Sequence, residues 1–259
     1  MATPVKLELR DVTVTYGGLT ALSEVSLAVA DHRVHGVIGP NGAGKTTLFN
    51  VICGFTTPDQ GTLAWQGREL GRFRPHDLAG LGIARTLQGV GLFDRMPVLE
   101  NVMVGADAQA RSGFLSTLLA LPRGTGDERR LRKQALAALD RLGIAEYAGR
   151  LPAGLPYPVR KRVALARALA AEPALLLLDE PASGLSHDEI EEFADLVRGL
   201  TDQMSVLLVE HHMDLVMKVC DEITVLDFGR VIAHGTPAEV KDDPSVLSAY
   251  LGDAMEQGA

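Results

Sequence analysis

From Val5 to Tyr16 the stretch VKLELRDVTVTY alternates apolar and polar side chains, the period of a strand with one face buried. LSEVSLAVADHRVHGVIG continues in the same manner and closes on an all-apolar strand, Val34 to Ile38. A glycine-rich loop follows, then helical spacing from about Lys45 to Cys53, with Gly54 placed to stop it. GTLAWQGREL reads as a hairpin. From about Gly89 to Gly154 the chain changes character and is rich in Leu, Ala and Arg. Within it DERRLRKQALAALDRLG sets Leu131, Ala135, Leu139 and Leu142 on one helical stripe. Beyond it ALLLLDE and SVLLVEH are short apolar runs of the kind buried in parallel sheets. Between these, SHDEIEEFADLVRGL spaces Ile190, Phe193, Val197 and Leu200 for one helix face, and DFGR, Asp227 to Arg230, turns between two more strands. Strands alternating with helices predict an α/β core, here interrupted by a mostly helical insertion.

A chain of 259 residues suffices for one large domain or two small ones. Aromatics are only 5% of a chain that is 46% hydrophobic, so the core is aliphatic. The net charge of -8 argues against a protein that coats nucleic acid. Cys53 and Cys220 stand apart in apolar surroundings and read as buried small hydrophobes. No apolar leader opens the chain, and no apolar run approaches the about 18 residues of a membrane span, so a soluble intracellular protein is expected.

The candidate chemistry begins at GPNGAGKTT, Gly39 to Thr47, which matches G-x-x-x-x-G-K-[ST] between an apolar strand and a helix. Gly39, Pro40, Asn41, Gly42, Ala43, Gly44, Lys45, Thr46 and Thr47 are the expected phosphate-binding residues. Glycines let backbone N–H groups turn inward around phosphate oxygens, and the helix N-terminus adds its dipole. Lys45 would bring a charge to the β- and γ-phosphates, and Thr46 a hydroxyl to Mg2+. LLLLDE ends a buried strand in two carboxylates. Asp179 is placed to reach Mg2+ directly or through water, and Glu180 to act as general base on the attacking water.

With these motifs in order, nearly the whole chain resembles an ATP-binding cassette (ABC) ATPase. The resemblance implies a P-loop NTPase fold with a RecA-like core, an antiparallel β subdomain and a helical insertion. Residues 1–88 and 166–259 would form the core and 89–165 the helical part. Tyr16 falls where the family stacks an aromatic on adenine. Gln88 falls where a glutamine contacts Mg2+ and the transport subunit. SGLS, Ser183 to Ser186, matches the loop that crosses a dimer interface, and His211 matches the switch histidine that reaches the γ-phosphate. His212 follows where Asp is usual; because neighbouring residues on a strand or helix point apart, the His pair is not expected to hold a metal. YGGLTALSEVSL, GIARTLQGVGLF, VLENVMVGA, VEHHMDLVMKVCDEITVLDFGRVIAHGTPAEV and DPSVLSAYLG are similar to the larger, LivG-type ATPase subunit of branched-chain amino-acid importers.

In this family ATP is held between the phosphate loop of one cassette and a signature, commonly LSGGQ, of the other. The matching residues here are Leu155, Pro156, Tyr157, Pro158 and Val159. The importer group tolerates LPYG, so Pro158 is the departure: proline has no N–H to give a phosphate. The adjoining RKR, Arg160 to Arg162, reads as a solvated helix face. The resemblance implies ATP and Mg2+, a homologous ATPase partner (heterodimer or homodimer), two membrane permease subunits, an extracytoplasmic solute-binding protein acting indirectly, no nucleic acid, and a place on the cytoplasmic face of the membrane. A mainly regulatory ATP-binding subunit and a non-transport ABC ATPase are the alternatives.

Overall fold

The computed structural model describes residues 4–86, 90–106 and 122–256. In chain order the first half holds β1 (Val5–Tyr16), β2 (Leu19–Ala30), β3 (Val34–Ile38), α1 (Lys45–Ile52), β4 (Gln60–Trp65), β5 (Arg68–Leu70), β6 (Ile83–Arg85), α2 (Val98–Ala106) and α3 (Pro122–Arg141). There follow α4 (Tyr157–Leu169), β7 (Leu175–Asp179), α5 (His187–Leu200), β8 (Ser205–Val209), α6 (Met213–Val219), β9 (Glu222–Asp227), β10 (Arg230–Gly235), α7 (Pro237–Lys241) and α8 (Pro244–Glu256). The chain divides into two compact units, Met1–Leu78 with Leu178–Ala259, and Ala79–Leu177.

In the first unit the alternating stretches form an antiparallel sheet of order β2-β1-β4-β5. Leu7, Leu9, Val12 and Val14 of β1 are buried, and the residues between them face outward in whole or part. The all-apolar runs go elsewhere. β3 lies between β8 and β9 and parallel to both, so every one of its residues is buried. β10 folds back antiparallel on β9 through the turn Phe228–Gly229, both at positive φ, as a type I′ hairpin turn requires. The stripe of α5 is buried as its spacing predicts, at Ile190, Phe193, Val197 and Leu200. Ser186 caps that helix: its hydroxyl accepts from the Glu189 N–H, and the Glu189 carboxylate accepts from the Ser186 N–H.

His35 is the polar exception on β3. It is 1% exposed, its Nε2 lies 2.9 Å from Thr224 Oγ1, and that hydroxyl lies 3.2 Å from His234 Nδ1. Burial drives its pKa down to about 3, with the neighbouring His234 adding to the effect. The folded protein therefore holds His35 neutral, while the unfolded chain takes up a proton below its ordinary value of 6.5. The stabilising contribution is complete above that value and is lost as pH falls toward 3. Between pH 7 and pH 5 this group is expected to remove roughly 2 kcal/mol of stability. Urea melts at the two pH values, with His35→Gln showing a flatter pH dependence, check this.

In the second unit Leu131, Ala135, Leu139 and Leu142 are buried, as their stripe predicts. α2 packs on α4 so closely that a Cβ on Gly105 would lie 1.8 Å from the Arg167 carbonyl oxygen. β6 runs parallel to β7 with Ile83 opposite Leu175. Asn101 is fully buried and secures the loop before α2: its Oδ1 accepts from the Phe93 N–H at 2.8 Å, and its Nδ2 donates to the carbonyls of Phe93, Met96 and Pro97. Cys53 and Cys220 are buried, and burial raises the Cys220 thiol to about 12, so it is inert. Among the described residues no helix is long and apolar enough to cross a membrane.

Candidate functional site

The site lies at the C-terminal ends of neighbouring strands in the first unit. β3 ends at Ile38 and delivers Gly39; β7 ends at Asp179 and delivers Glu180; β8 ends at Val209 and delivers Glu210 and His211. Backbone bonds hold the ends level: the Glu210 N–H donates to the Val37 carbonyl at 3.3 Å, and the Glu180 N–H to the Val209 carbonyl at 2.8 Å. Parallel sheets gather chemistry at this edge because every strand ends there with the same polarity.

The loop Gly39–Gly44 is shaped by its glycines. Gly39, Gly42 and Gly44 have φ of 152°, 79° and 100°, which side chains other than hydrogen rarely permit. A Cβ on Gly39 would lie 2.1 Å from the Leu226 carbonyl oxygen, so the loop rests directly on the end of β9. The turn after β9 supports it from the same side, with the Gly229 N–H donating to the Ala43 carbonyl at 3.0 Å. Gly39→Ala is expected to cost ~1–3 kcal/mol of stability and to weaken nucleotide binding with it. Thermal melts with and without nucleotide check both effects.

Helix α1 starts with the electrostatics of an anion site. No side chain caps its N-terminus and its first turn carries no acid. Lys45 lies back across the loop, its Nζ donating to the carbonyls of Gly39 at 2.7 Å and Pro40 at 2.8 Å. Thr46 is exposed and Asp179 half-buried. The oxygen donors these two residues offer are of the hard kind that Mg2+ takes. Tyr16 is 49% exposed, with its hydroxyl 3.1 Å from Thr56 Oγ1, so its ring is open to a planar partner.

Glu180 has a feature the sequence does not announce. Its φ is +46°, a left-handed conformation that is costly for a side chain of this kind. The strained turn leaves its carboxylate 37% exposed and 3.9 Å from His211 Nδ1. The structure thus brings together Glu180 and His211, which lie thirty-one positions apart in the sequence. Gln88, expected to join them, lies outside the described residues.

The premise that the two His side chains point apart fails here. Glu210, His211 and His212 lie between β8 and α6 in neither strand nor helix, so the rule that neighbours point apart does not apply. The two imidazoles sit with ring centroids 4.4 Å apart. Each of the three residues offers a donor atom within 4.8 Å of the other two. The only advance signal was the His-His pair itself.

In the second unit, Leu155 is buried and anchors the candidate signature. Pro156 is the N-cap of α4, Tyr157 its first residue and Pro158 its second, so the signature opens the helix. The basic run differs from a fully solvated face: Arg160 to Arg162 are half-buried, and Arg160 and Lys161 lie 5.5 and 5.4 Å from the Tyr157 ring. Ser186 is used as a helix cap, which accounts for a Ser at that place without reference to any partner.

The model of the ABC transporter family matches residues 22–183, more than half the chain and inclusive of the phosphate loop, signature and Glu180. The chain belongs to that family. As an ATP-binding cassette it is an ATPase of P-loop fold. A second family model, branched-chain amino acid ATP-binding cassette transporter, matches residues 230–256 of the cassette. The cassette is 38% identical to the high-affinity branched-chain amino acid transport ATP-binding protein LivG of Salmonella typhimurium, over 96% of this chain and 98% of that one. It is 38% identical to BraF of Pseudomonas aeruginosa, which carries the same description, over 98% of this chain and 100% of that one. Among solved structures it resembles the ADP conformation of MJ1267, an ATP-binding cassette of an ABC transporter, with a TM-score of 0.83 and 29% identity over 96% of this chain and 99% of that one.

Proposed function

We propose that this cassette powers an importer of branched-chain amino acids or related small solutes, hydrolysing ATP at the cytoplasmic face of the membrane together with a homologous ATPase subunit and two permease subunits. The observation that carries the reading is the likeness to LivG and BraF over nearly the whole length of each chain, down to the C-terminal segment 230–256. The phosphate loop Gly39–Thr47 with Lys45 would bind the β- and γ-phosphates, and Tyr16 would stack on the adenine. Thr46, Asp179 and Gln88 would hold Mg2+, which when bound neutralises charge developing on the phosphates. Glu180 would take the proton of the attacking water, and His211 would donate to the transferred phosphoryl group.

Leu155, Pro156, Tyr157, Pro158 and Val159, at the end of the helical portion 89–165, would close over the partner's nucleotide. With Pro158 lacking an N–H, that second site is the slower one, and the pair of cassettes is asymmetric. Uptake of labelled leucine by proteoliposomes holding the complete transporter tests the reading. Uptake is expected to require ATP inside together with this cassette. ATP hydrolysis without stimulation by leucine and its binding protein would point to another solute.

A further inference from the structure

We propose that Glu210, His211 and His212 form a binding site for a first-row divalent transition ion such as Zn2+, and that filling it arrests ATP turnover. The donor set is two imidazole nitrogens and one carboxylate oxygen. That set suits Zn2+ and its neighbours and is a poor match for Mg2+, which prefers oxygen alone. The site would therefore discriminate against the ion that accompanies ATP.

The geometry is close to what a metal needs. The donors lie within 4.8 Å of one another. Around a tetrahedral Zn2+ with bonds of about 2.0–2.1 Å they would be roughly 3.3 Å apart. The remaining distance, up to roughly 1.5 Å, falls to the imidazoles. His211 is 49% exposed on its side chain, and His212 is half-buried, so neither ring is locked in the interior. Glu210 supplies the fixed point: it is wholly buried, and its backbone is tied to the end of β3. A carboxylate in such dry surroundings attracts a cation more strongly than one in water. Three protein ligands leave a fourth position for water, and Glu180 Oε1 lies 3.9 Å from His211 Nδ1.

All three residues lie in one short segment that starts at the catalytic edge of the sheet and ends where α6 begins, with His212 as the N-cap of that helix. A metal there ties His211 to Glu210 and His212, and a tied imidazole cannot follow the phosphate. Binding itself does not depend on the proposed function; the arrest of turnover rests on His211 serving catalysis there.

The test uses the full chain, stripped of metal and free of nucleotide, titrated with Co2+ as the visible probe. A d–d absorption that saturates at one ion per chain and is bleached by Zn2+ is expected. His212→Gln should weaken binding by about tenfold or more. With free Zn2+ fixed by a metal buffer, wild-type ATPase should fall while His212→Gln, whose rate in chelator is within about twofold of wild type, resists. The absence of a saturable band, or a band unchanged in His212→Gln, overturns the site. Equal Zn2+ inhibition of both proteins overturns the arrest. A chain that binds Co2+ in this way, in a complete transporter that hydrolyses no ATP with Mg2+ present and transition ions chelated, keeps the site and contradicts the catalytic reading instead.

Discussion

Glu180→Gln is expected to lower ATP turnover by roughly 10²–10⁴ while leaving ATP binding nearly unchanged. The amide keeps the size of the carboxylate and its place at the end of β7, 3.9 Å from His211, but cannot accept a proton. The backbone supports this role. A residue at φ +46° persists only where its surroundings enforce it, and here the enforcing bond is the Glu180 N–H to the Val209 carbonyl at 2.8 Å. The side chain is left 37% exposed at the end of the strand. Phosphate release and binding of a fluorescent ATP analogue, measured on the same preparation, separate the two effects. A loss of less than about fivefold would mean that another group activates the water.

Pro158→Gly is expected to raise the steady-state ATPase rate of the complete transporter by about tenfold or more, by restoring a backbone donor at the second position of α4. Two of the residues that open this helix, Pro156 and Pro158, have no N–H, which leaves Tyr157 and Val159 as donors at its mouth. One preorganised donor to developing charge is worth about 10²–10³ in rate where it acts. The helix loses little by the change, since proline in the first turn contributes only about 1 kcal/mol of preorganisation. Because the signature serves the partner's nucleotide, Glu180→Gln in this cassette should abolish the gain only in part. An unchanged rate would mean that Tyr157 and Val159 suffice, and that both sites work as they stand.

The contrast between Leu131 and Glu180 shows where sequence reading succeeds. The stripe Leu131, Ala135, Leu139 and Leu142 was legible because helical burial follows from spacing alone, and all four are buried. The all-apolar strands and the hairpin turn at Phe228–Gly229 were legible for the same local reason. The phosphate loop was legible because its function needs glycines, a lysine and a hydroxyl at set spacing before a helix. What the residues alone do not carry is the meeting of distant segments. The sheet pairing that sets Glu180 beside His211 depends on β7, β8 and β3 ending level. The backbone strain at Glu180 and the seat of Gly39 on Leu226 come from contacts across the sheet. The His211–His212 pair shows the limit most directly. Periodicity separates neighbouring side chains only inside a helix or strand, and this segment is neither, so only the structure shows Glu210 and both imidazoles offering donors within 4.8 Å of one another.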